Sequence, residues 1–196
     1  MKTKTAFSIR EMVFTALFTA VMCAIAPVAI PIGPVPITLG LVVVYLAAGT
    51  LGPKFGTISV ALYVALGAIG LPVFSQYRGG FQMIAGATGG FIIGFILCAF
   101  VVGLIIELFR KKIEPRVSKK SLRMVLMYVF YALGMVIGTV LLYTCGTVWF
   151  MFVTGNTLTA SLGLTVVPFL FGDALKIILA CIAAPQLRAA IGRLPR

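Results

Sequence analysis

Residues 87–109 read ATGGFIIGFILCAFVVGLIIELF, twenty-three positions whose single charge, Glu107, falls in the last turn. A helix needs about 20 apolar residues, with a range near 17–25, to cross a bilayer. Working outward from this run, five more of the same character appear at residues 12–30, 37–52, 55–73, 122–145 and 164–187. The run at 37–52 is short and bounded by Pro36 and by Gly52-Pro53, so it reads as tilted or partly broken. Composition agrees: of 196 residues, 61% are hydrophobic and 10% charged. A soluble domain carries about 25% charged residues and could not bury this much apolar surface. The expectation is an all-α integral membrane protein, one domain over residues 1–196 with six transmembrane helices. No A-x-A cleavage pattern follows the first run, so it reads as a retained span.

Sixteen Lys and Arg against four acids give a formal +12. A nucleic-acid binder lays such charge along a groove or helix face, whereas here it falls in short clusters between apolar runs. With six spans and both termini in the cytoplasm, Lys2, Lys4, Arg10, Lys54, the seven bases of residues 110–123, Arg188, Arg193 and Arg196 share one side. That is fourteen of the sixteen. Five or seven spans would spoil this agreement with the positive-inside rule. The stretch 110–123 therefore reads first as a topology signal and second as a site for anionic lipid or a partner. Trp149 reads as an interfacial anchor, and the aromatic stretch 149–153 as lying beyond the fifth span, which would otherwise be too long. No internal repeat stands out.

Several chemistries lack their parts. The chain has no histidine, hence no Ser/His or Cys/His pair and no H-E-x-x-H. Cys23, Cys98, Cys145 and Cys181 lie far apart in or beside apolar runs, the pattern of small buried hydrophobes. No G-x-x-x-x-G-K-[ST] loop is present, so the chain does not hydrolyse ATP itself. The reading is a binding protein, not an enzyme.

Asp173 and Lys176 are the two charges well inside an apolar run. Asp173 lies roughly 13 Å along the helix from Leu164 at 1.5 Å per residue, and the i, i+3 spacing puts both side chains on one face. A charge in a membrane helix costs at least about 2.5–3.5 kcal/mol on insertion scales, which makes the pair a candidate site. A structural ion pair is the other reading. With Arg78, on the same outer side, the trio carries a net +1 suited to a small solute bearing one anionic group. The connection Ser75-Gln76-Tyr77-Arg78-Gly79-Gly80-Phe81-Gln82 is glycine-rich, as a loop closing over a ligand would be. Ala16, Ala20 and Ala24 form overlapping small-xxx-small repeats, fit either for packing within the protein or for docking another subunit.

Five stretches together resemble the BioY family. They are Pro34-Val35-Pro36-Ile37-Thr38-Leu39, Leu51-Gly52-Pro53-Lys54, Gly67-Ala68-Ile69-Gly70-Leu71-Pro72-Val73-Phe74, Thr88-Gly89-Gly90-Phe91-Ile92-Ile93-Gly94-Phe95 and Pro168-Phe169-Leu170-Phe171-Gly172-Asp173-Ala174-Leu175-Lys176. The resemblance spans nearly the whole chain. It implies the biotin-binding S component of an energy-coupling factor (ECF) transporter in a bacterial cell membrane, a six-helix fold holding biotin near the outer surface without a cofactor. It implies that Asp173 and Lys176 contact biotin, and that the Ala16–Ala20 face meets a membrane coupling subunit energised by partner ATPases. Two positions depart from the family pattern: Gly40 where many relatives carry Gln, and Arg78 where some carry Asn.

Biotin's ureido ring offers two N–H donors and a carbonyl, which a carboxylate and an ammonium complement. Arg78 or Gln76 then faces the valerate carboxylate, with Thr38 a weaker polar contact. Phe74, Phe91, Tyr45 and Trp149 are candidates for the apolar walls, and Gly79 and Gly80 for the closing loop. The alternatives are an S component for another small vitamin, or a structural membrane protein with Asp173–Lys176 as an internal clasp.

Overall fold

The computed structural model describes residues 8–31 and 34–193. Lys2, Lys4 and Arg196 of the charge argument lie outside the described residues. The described residues are mostly helical. Helix α1 spans Ile9–Ile25 and opens with a capping box in which Ser8 and Glu11 satisfy each other's end of the first turn. Residues 26–31 and 34–39 do not continue the helix, so α1 ends short of the expected run 12–30: Pro27, just past its last turn, has no N–H to donate back. A two-residue ribbon forms instead, β1 Ala29–Ile30 against β2 Ile37–Thr38, antiparallel, with Ala29 opposite Thr38.

The runs expected at 37–52 and 55–73 are the two limbs of one helical element, α2 Gly40–Ala68, broken at Gly52. Gly52 has φ 81° and ψ −175°, a conformation open essentially to glycine alone. The limbs fold back on each other: a Cβ on Gly56 would meet the Ala48 Cα at 2.7 Å. In an unbroken helix eight residues span about 12 Å. Glycine at 52 makes the reversal, and glycine at 56 lets the limbs touch.

After Ala68 come the short α3 Phe81–Ala85 and then α4 Gly89–Leu108, which continues into a π turn, Phe109–Ile113. Helix α5 runs Lys120–Thr154, 35 residues, and is longer than the expected 122–145. The stretch 149–153 belongs to it after all. At about 52 Å it outreaches the roughly 30 Å hydrocarbon core, so its ends project beyond the hydrocarbon. It stops at Gly155, left-handed at φ 72°. The run 164–187 is divided: α6 Leu158–Thr165, a turn at Val167–Phe169 around Pro168, and α7 Leu170–Arg193.

Among the described residues, four helical stretches are long and apolar enough to cross a membrane: Gly40–Ala68, Gly89–Arg116, Lys120–Thr154 and Leu158–Arg193. Large apolar side chains such as Leu17, Val140 and Ile178 cover the outside, the surface lipid requires. The interior packs tightly around Tyr45, Val102 and Met135, all buried. Thr19 Oγ1 donates to Ser59 O (3.0 Å), joining α1 to α2. At the basic end, Gly49 O accepts from Tyr131 Oη and from Arg188, both at 3.1 Å. Arg188 also pairs with Glu107 at 2.9 Å, so α2, α4, α5 and α7 are tied together there.

Candidate functional site

At the end opposite this basic cluster, a cavity of about 340 Å³ opens between the limbs of α2, α4, α5 and the start of α7. That is within the range of small-molecule sites, about 300–1,000 Å³. Asp173 and Lys176 are both buried and both line it. Helical spacing puts them on one face, and Lys176 Nζ donates to Asp173 Oδ1 at 2.7 Å. From α5, Tyr143 Oη donates to the other carboxylate oxygen, Oδ2, at 2.5 Å. A carboxylate has about four lone-pair sites and an ammonium three N–H donors. The cluster is therefore satisfied internally yet retains acceptor and donor capacity toward the cavity.

The remaining walls are mainly apolar or aromatic: Leu41, Tyr63, Phe74, Phe91, Ile92, Phe95, Leu142 and Phe169. Tyr63 and Phe74 meet edge to face with centroids 5.6 Å apart. Polar atoms sit at separate points, with Thr38, Gln76, Arg78, Thr88 and Thr165 on the lining. Thr38 Oγ1 accepts from Gly40 N (3.0 Å), fixing the entry to α2. Thr165 and Thr147 hydroxyls bond at 3.0 Å, holding α6 against α5.

The loop over the cavity is backbone-strained. Gln76 and Tyr77 have φ of 63° and 56°, unusual for residues with side chains. The strain is held by Gln76 N donating to Pro27 O and Phe74 N to Arg78 O, each at 2.9 Å. Such outliers persist where surrounding structure over-determines them. Arg78 is exposed, at the cavity mouth.

Six of the residues singled out from the sequence, Asp173, Lys176, Arg78, Gln76, Thr38 and Phe91, meet on this one lining, with Phe74. Gly79 and Gly80 do not. They shape the loop from behind: Gly80 N donates to Gly67 O at 2.7 Å, and a Cβ on Gly79 would lie 2.2 Å from Leu71 O. Tyr45 and Trp149 are not wall residues either. Tyr45 is buried and bonded to Thr139, and Trp149 Nε1 donates to Gly86 O at 2.9 Å, bracing the approach to α4. Tyr143, Tyr63 and Thr165 escaped the sequence reading. A tyrosine or threonine in a long apolar run carries no charge to mark it. Ala16, Ala20 and Ala24 lie exposed on α1 beside Met12, Val13 and Leu17, so this strip faces out of the bundle.

The BioY family profile matches residues 1–193. The chain belongs to the BioY family. Among curated relatives, the biotin transporter BioY of Thermotoga maritima is 37% identical over 179 residues, covering 91% of this chain and 96% of that protein. The biotin transporter BioY of Rhizobium etli is 34% identical over 178 residues, covering 89% and 91%. The BioY fold also matches a solved structure, the S-component for biotin from an ECF-type ABC transporter, determined at 2.1 Å. The TM-score is 0.74 at 32% identity, over 92% of each chain. With its apolar helices, this BioY member is a multi-pass protein of the cell membrane.

Proposed function

We propose that this chain is the biotin-capturing S component of an ECF-type importer. The observation that carries the reading is the Asp173–Lys176–Tyr143 cluster on the wall of an otherwise mainly apolar or aromatic cavity, within a BioY fold. In this reading Asp173, held by the Tyr143 hydroxyl, accepts the ureido N–H groups, while Lys176 donates to the ureido carbonyl. The thiophane ring and alkyl tail lie against Phe74, Phe91 and Tyr63. The valerate carboxylate points to the mouth, toward Arg78 or Gln76, with Thr38 a weaker contact. A clasp serving stability alone has no need of a cavity beside it, and this favours the binding role.

The chain binds without a cofactor of its own and performs no chemistry. With α1 taken as a pass and the two limbs of α2 counted separately, the four long helical stretches become six passes, and in this reading the positive-inside rule puts the basic end in the cytoplasm and the cavity at the outer surface. The outward strip Ala16, Ala20 and Ala24 docks the membrane coupling subunit, through which ATPase subunits supply energy. The test is uptake of radiolabelled biotin by a bacterium lacking its own biotin transporter. Uptake is expected with this chain plus the energising subunits, suppressed by excess unlabelled biotin and unchanged by thiamine or riboflavin. No uptake of labelled biotin, alongside uptake of another labelled vitamin by the same cells, would reassign the ligand.

A further inference from the structure

A second cavity, about 440 Å³, lies at the basic end, where the start of α1, the Gly52 reversal, the turn after α4 and the end of α7 converge. Arg10, Arg110 and Arg188 line it, with Glu11 as the acid on its wall. Glu11 is engaged: its carboxylate accepts from Ser8 N at 3.0 Å in the α1 cap. Arg188 is anchored on Gly49 and Glu107, so its charge is fixed in place. Arg110 approaches Glu114 at 3.9 Å, a separation that leaves guanidinium N–H groups for another acceptor. The rest of the wall is mainly apolar, including Phe14, Leu51 and Phe55, with Ser8 and Thr50 as its hydroxyl residues.

We infer that this cavity binds the headgroup of an anionic glycerophospholipid, with the start of its acyl chains against Phe14, Leu51 and Phe55. Guanidinium groups match phosphate geometry. Among the described residues, this end gathers eleven basic groups against three acids, a formal +8 that the protein does not itself neutralise. The sequence of residues 1–7 adds Lys2 and Lys4 and no acid, so it supplies no counter-charge. A free phosphate has no use for the aromatic wall, whereas an amphiphile uses both halves. Basic pockets between membrane helices on the cytoplasmic side hold lipid headgroups by this logic. The inference stands apart from the biotin reading.

The test is native mass spectrometry of the full chain titrated with phosphatidylglycerol, phosphatidylcholine and, separately, inorganic phosphate. The parent is compared with Arg10→Gln, Arg110→Gln, their double variant, and a control, Lys120→Gln, of equal charge change away from the cavity. Phosphatidylglycerol is expected to bind the parent in preference to phosphatidylcholine. Each cavity variant should weaken it about fivefold and the pair about thirtyfold, with the control unchanged. Circular dichroism melting verifies that each variant folds. Equal retention of both lipids, equal loss in the control, unchanged binding in the folded double variant, or phosphate binding as strong as the lipid's would each overturn the inference.

Discussion

Replacing Lys176 by Met removes one half of a buried pair while leaving the other. The Lys176 and Asp173 side chains are 8% and 7% exposed, and their charged atoms lie 2.7 Å apart. Breaking such a pair from one side costs about 3–5 kcal/mol, because the orphaned charge stays buried; replacing both partners by neutral groups is often nearly neutral. A chain of this size loses about 2–4 °C of Tm per kcal/mol, so Lys176→Met should melt about 6–20 °C below the parent. The double variant Asp173→Asn/Lys176→Met should recover most of that loss, since no charge is left to strand. Biotin binding should be absent from both. The assay is differential scanning fluorimetry in detergent, followed by biotin titration on the same preparations. Stability and binding therefore separate in the double variant. If that variant melts as low as Lys176→Met, the pair works as a clasp. If it binds biotin like the parent, the pair is no part of the ligand site.

Tyr143→Phe removes the 2.5 Å hydrogen bond to Asp173 Oδ2. A bond to a charged group is worth about 1.5–3 kcal/mol, so biotin binding should weaken about 10- to 100-fold by titration while gel filtration stays monodisperse. Gly56→Leu should abolish a monodisperse product, because even its Cβ meets Ala48 backbone at 2.7 Å; Gly163→Ala, with nothing within 4 Å, should melt at or up to a few degrees above the parent temperature. Ala20→Trp, on the outward strip of α1, should leave biotin binding intact yet abolish uptake in cells that contain the energising subunits. With the native cysteines replaced, a membrane-impermeant maleimide should label Arg78→Cys in intact cells and Lys54→Cys only after permeabilisation; external labelling of both would refute the six-pass orientation.

What was legible in the sequence followed from cost. A charge in a membrane helix is too unfavourable to be incidental, so Asp173 and Lys176 announced themselves, and their spacing alone placed them together. Gly52-Pro53 marked a break, although the sequence did not reveal that the limbs on either side fold against each other through Gly56. The ends of helices were harder. Pro27 shortened the first run, and nothing local to residues 146–154 stops α5, which ends where Gly155 permits a left-handed turn. Tyr143 was invisible for a different reason. Its role depends on which face of a 35-residue helix meets α7, and packing decides that. Tyr45 and Trp149 were indistinguishable from wall residues until their hydroxyl and indole N–H were seen bonded elsewhere, to Thr139 and Gly86.

The most direct test of the central claim is titration calorimetry of biotin into the purified parent chain, in detergent and without any partner subunit. The account predicts saturable binding at one site per chain. A folded, monodisperse preparation that binds no biotin would contradict it.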